Sequence, residues 1–62
     1  MEIEVEWKSI ASGLTQIDIE DLGCKSKKEW DNLSKEEQKK RINEWQIENE
    51  PRDYKQIDWY EV

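Results

Sequence analysis

Histidine and phenylalanine are absent from this 62-residue chain, which has one cysteine, one proline and two glycines. Without histidine there is no imidazole for acid–base chemistry and no ordinary base to activate a nucleophile. Cys24 stands alone, so no intrachain disulfide can form. Lys25, Lys27 and Lys28 lie close enough in sequence to favour its thiolate. With no base to work with it, Cys24 is expected to be a structural thiol. No apolar run approaches the roughly 18 residues of a membrane span. A basic stretch followed by an apolar one, the mark of a signal peptide, is also missing. A reducing cytoplasm is the expected setting. No catalytic, cofactor-binding or metal-ligating motif is present, so an enzyme is not expected and no cofactor is implied.

Charge is what the chain has in abundance. Charged residues make up 42% of it, a composition that verges on disorder. Four tryptophans and regular apolar periodicities argue for a folded domain with a very polar surface. One small α+β domain over residues 1–62 is expected. The net charge is −6, with 16 acids against 10 bases, and it is unevenly spread. Residues 1–23 carry six acids and one base, whereas residues 24–50 carry seven of each. Such an N-terminal segment repels nucleic acid and anionic membranes, and permits a basic protein surface as partner.

Residues 2–8 alternate: Glu2, Glu4 and Glu6 on one side, Ile3, Val5 and Trp7 on the other. That is the pattern of a half-buried strand. Ala11–Gly13 reads as a turn, with Gly13 free to take positive φ. Residues 14–21 alternate again, with Thr15, Ile17 and Ile19 opposite Gln16, Asp18 and Glu20. Together the two runs predict a β-hairpin. Ser26 can cap a short helix to about Asn32, with Glu29 three residues on. Ser34 and Glu37 then form a capping box, with Leu33 as a hydrophobic staple before it. Glu36–Lys40 and Glu37–Arg41 are supporting pairs one turn apart. The inward stripe of this helix is expected at Ile42, Trp45 and Asn49, and its end at Pro51. The Lys39–Lys40–Arg41 run reads as a solvated helix face. Residues 54–62 predict a third strand.

The assembly expected is β-β-α-β: a three-stranded antiparallel sheet, one main helix packed on one face, and the third strand beside the first. The core is expected to hold Ile3, Val5, Trp7, Ile17, Ile19, Trp30, Leu33, Ile42, Trp45, Ile57 and Trp59. The opposite sheet face would then carry Glu2, Glu4, Glu6, Gln16, Asp18, Glu20, Gln56, Asp58 and Tyr60. Like charges facing each other across strands destabilise a sheet. One reading is that this face binds a basic protein surface, acting as a nucleic-acid mimic through Glu4, Glu6, Asp18, Glu20, Asp58 and Tyr60. The other is that an open antiparallel sheet has one wet face, where acids maintain solubility. Asp18, Glu20 and Asp21 are candidate cation ligands, but the spacing and glycine of a calcium loop are missing. A separate class of function is a homo-oligomer or accessory subunit joined through Ile47, Tyr54, Tyr60 and exposed strand edges.

The stretch "WDNLSKEEQKKRINEW" at 30–45, with the terminal "DWYEV", resembles small acidic uncharacterised proteins of tailed bacteriophages. Those proteins share an alternating N-terminal hairpin, a W-x-x-L-S-x-E-E helix start and a Trp-rich acidic C-terminus. The resemblance transfers no catalytic residue. It implies a setting in which small phage proteins bind and inhibit host enzymes or defence systems.

Overall fold

The computed structural model describes residues 1–50 and 54–62. Its first strand, β1 (Glu2–Lys8), is central in a three-stranded antiparallel sheet of order β2-β1-β3. β2 spans Ser12–Asp18 and β3 spans Gln56–Glu61. A short helix α1 (Lys27–Asn32) leads into the main helix α2 (Lys35–Asn49). The architecture is mixed α+β, as the alternating and helical periods predict. The Pro51 helix stop lies outside the described residues. Glu50 closes α2 instead, its N–H donating to the Gln46 carbonyl.

Both helix starts use the caps the sequence offers. Ser34 Oγ accepts from the Glu37 N–H at 3.1 Å, and Ser26 Oγ accepts from the Glu29 N–H at 3.3 Å. The Glu29 carboxylate reaches one residue beyond the cap, to the Lys25 N–H at 2.8 Å. Serine at these positions satisfies donors that the first helical turn leaves open.

Ile3, Val5, Ile17, Ile19, Trp30 and Ile42 are buried in the core, with Trp7 and Ile57 nearly so. Leu33, Trp45, Tyr54 and Trp59 pack around it, half-buried. Polar side chains fasten α2 over the sheet. Gln38 accepts from the Trp59 indole at 3.1 Å and donates to the Trp30 carbonyl at 2.8 Å, joining α2, β3 and α1. At the other end of α2, Thr15 Oγ1 accepts from the Trp7 indole and donates to Glu50. The helix thus starts near β3 and ends near β2.

The structure corrects the sequence reading at four places. β2 stops at Asp18, and Ile19–Leu22 forms a 3-10 turn that buries Ile19, Leu22 and then Cys24. The Asp18 carboxylate caps that turn and Gly23, at φ 84°, closes it in the left-handed region. Gly13 lies inside β2 and needs no positive φ. A methyl there would stand 2.9 Å from Cε2 of the facing Trp7 and closer still to Cζ2, so the indole occupies the space a side chain would take. Gln46, not Asn49, faces inward beside Ile42; Asn49 is exposed. Arg41 leaves the solvated run of its basic neighbours. Its guanidinium donates to the Leu22 carbonyl at 2.9 Å and pairs with Glu37, tying α2 to the 3-10 turn.

Candidate acidic sheet face

Successive residues of a strand point to opposite faces. Burial of Ile3, Val5 and Trp7 beneath the helices therefore turns Glu2, Glu4, Glu6 and Lys8 outward. The register sets what faces each one. Glu2 is opposite Asp18, Glu4 stands between Gln16 and Tyr60, and Glu6 between Leu14 and Asp58. Lys8 closes the rank between Ser12 and Gln56. Among the described residues, five carboxylates thus share this face with one ammonium group.

The carboxylates are not equivalent. Glu4 is half-buried and accepts from the Tyr60 hydroxyl at 2.6 Å. That bond pushes the Tyr60 pKa up to about 12, because ionising the phenol would lose it and set two anions together. Asp18 is half-buried too, and its Oδ1 is committed to the Glu20 N–H at 3.0 Å. Glu6 and Asp58 are exposed and directly opposed. The side-chain amide of Gln56 touches Asp58 at 3.4 Å, a weak bond that leaves its charge facing solvent. These two acids border a shallow depression of about 280 Å³, rimmed also by Lys8, Ser12, Leu14 and Gln56.

Of the six candidate contact residues, the sheet brings Glu4, Glu6, Asp18, Asp58 and Tyr60 onto one face. Glu20 does not join them. Its alternation with Asp18 ends where the chain turns into the 3-10 segment. Leu14 belongs to the face and was missed, although it shares its parity with Gln16 and Asp18. It is 60% exposed, beside Glu6. The apolar trio Ile47, Tyr54 and Tyr60 does not form one patch. Tyr60 lies on the side of the sheet away from the helices, whereas Tyr54 packs edge-on to Trp7 on the helix side. Ile47 is exposed on α2.

Cys24 is buried, with its sulfur 3.9 Å from the Arg41 guanidinium. Among the described residues no group of three or more His, Cys, Asp or Glu side chains converges as a metal site. No helix of the described residues is long and apolar enough to cross a membrane. No family model, curated protein or solved structure matches the chain.

Proposed function

We propose that this chain is a non-enzymatic binding protein that lays its acidic sheet face on the basic surface of another protein. The observation that carries the reading is the opposed pair Glu6 and Asp58, without an ion-pair partner among the described residues and bordering a depression. Carboxylates on alternate residues repeat at about 7 Å along a strand and about 5 Å across strands. Charge spacing on a nucleic-acid backbone is of the same order. A surface of this kind suits a groove that otherwise holds phosphates. The target class is therefore a nucleic-acid enzyme or a defence factor, and occupation of its groove inhibits it. The phage setting rests on the sequence resemblance alone. Steering by the −6 charge would speed encounter at low salt.

The test is a pull-down from bacterial lysate with tagged protein beside a Glu6→Lys, Asp58→Lys double variant. The expected result is a nucleic-acid-binding protein that is held by the wild type, released by competing DNA and by salt, and absent with the variant. A partner retained by the variant, or indifferent to DNA, sinks the mimic mechanism.

A further inference from the structure

Independently of the acidic face, the sheet has an edge built differently from the rest of the molecule. In a chain that is 42% charged, no residue from Ser9 to Ile17 carries a charge. That run supplies the hairpin loop and nearly all of β2, an edge strand with no described strand on its far side. Edge strands are commonly guarded by lysine, proline or inward-pointing charge. β3, the other edge, has such guards. Lys27 pairs with its Glu61 at 3.1 Å, and the Lys35 ammonium sits 5.7 Å from the centre of the Trp59 ring. β2 has no lysine or proline between Ser12 and Ile17, and the one helix charge bonded to that run among the described residues is Glu50, on Thr15 at 3.1 Å.

Hydrogen-bond parity shows which backbone groups that edge presents. The Ile19 N–H donates to the Met1 carbonyl, and the Ser9 N–H to the Ala11 carbonyl. In an antiparallel ladder, hydrogen-bonded pairs recur at every second residue. The register then assigns the bonded pairs to Ile3–Ile17, Val5–Thr15 and Trp7–Gly13. The N–H and C=O groups of Ser12, Leu14 and Gln16 therefore point away from β1, toward a flank that no described strand occupies.

We infer that the β2 edge is a self-association site, where two copies join antiparallel about a two-fold axis at Leu14. The occupant is a second copy because this segment is self-complementary. With Leu14 facing the partner's Leu14, Ser12 faces Gln16 and Gly13 faces Thr15, so no β2 side chain from Ser12 to Gln16 sets one charge against another. Two leucines, each 60% exposed in the monomer, cover one another on the outer face. Roughly six backbone hydrogen bonds form across the axis. A β3–β3 join would instead set Asp58 and Glu61 of each copy near those of the other. The product is a continuous six-stranded sheet of order β3-β1-β2-β2-β1-β3. Its interface is small, so the dimer is weak, with a Kd on the order of 100 μM. Each copy carries −6, so salt strengthens the association by screening it. Docking of the acidic face on a basic partner responds to salt in the opposite direction.

The experiment is sedimentation equilibrium up to about 1 mM protein, at about 50 and about 500 mM NaCl, with amide NMR spectra over the same range. Dimer should grow with concentration and with salt. The amides of Ser12, Leu14 and Gln16 should shift more than those of Gly13 and Thr15. Two variants keep the hairpin and remove the joint. Leu14→Lys sits opposite Glu6 in the monomer and sets two ammonium groups together at the axis. Gln16→Pro removes an outward N–H without costing the hairpin a bond. At high salt each should raise the Kd by about tenfold or more. Three results overturn the inference: a monomer throughout, a dimer that salt dissolves, or a dimer that both variants leave intact. A monomer would hand the edge to a strand of a different protein.

Discussion

At Gln46 the core holds an amide whose nitrogen and oxygen meet no hydrogen-bond partner among the described residues. A buried polar group left unpaired costs about 1–3 kcal/mol, whereas an apolar group of the same shape costs nothing of that kind. Gln46→Met preserves length and helix propensity and removes the amide. The unfolding free energy should rise by about 1–3 kcal/mol, seen as a higher denaturant midpoint at unchanged slope. A fall would show that the amide is partnered in solution. This residue was not legible in the sequence, because its type argues for the surface. The inward stripe runs from Ile42 to Gln46, one turn, where the spacing after Ile42 and Trp45 points to Asn49. A second feature at the scale of one residue is on the opposite face of the sheet. Tyr60 donates to Glu4, and its phenol pKa stands at about 12 against the usual 10.0. A raised phenol pKa contributes stability that is whole below pH 10 and is lost as pH climbs through about 12. Glu4→Gln should bring the Tyr60 transition back toward 10, read from the ring resonances by NMR. An unmoved transition would mean that Glu4 does not hold the proton.

The two glycines belong to the scale of elements, because each shapes the path of one. Gly13 lets the Trp7 indole cross β2, and the indole in turn donates to Thr15, which holds the end of α2. Gly13→Ala overpacks that crossing and should cost about 1–3 kcal/mol. Trimming the indole with Trp7→Leu should remove most of the penalty in a double-mutant cycle, since the clash is between those two side chains. Gly23 serves the backbone instead, at φ 84°. Gly23→Asn should therefore be milder than Gly23→Ala, because Asn enters the left-handed region more readily. Equal losses at Gly23, or a Gly13→Ala penalty that survives the trimming, would reverse these assignments. The same two positions mark how far the elements were legible. β1, β3 and α2 announce themselves through period and caps, with ends displaced by a residue or two. The end of β2 does not, since Ile19 continues the alternation of Ile17. Only the Asp18 cap and the closure at Gly23 send the chain into a 3-10 turn, and with it Leu22 and Cys24 into the core. That turn also removes Glu20 from the acidic face. Residues on the face were legible by parity wherever the strand continued.

For the whole molecule, the question is whether the acidic face serves folding or something outside the fold. Glu6 and Asp58 oppose each other on adjacent strands, and like charges so placed weaken a sheet by a few tenths to about 1 kcal/mol. Salt screens exposed charges, so the melting temperature should rise with NaCl. Glu6→Lys places an ammonium between Leu14 and Asp58, turning repulsion into attraction. It should stabilise the domain by up to about 1 kcal/mol and flatten the salt dependence. That gain would show that Glu6 is held at the expense of stability, as residues of binding surfaces commonly are. On the proposed function, the same Glu6→Lys protein should bind its basic partner at least tenfold more weakly, measured by titration calorimetry at low salt. Stabilisation without loss of binding would return the acids to the role of keeping a wet sheet face soluble. Loss of both stability and binding would mean that Glu6 is held by a structural partner. Stabilisation with loss of binding is the one combination that a solubility role does not produce.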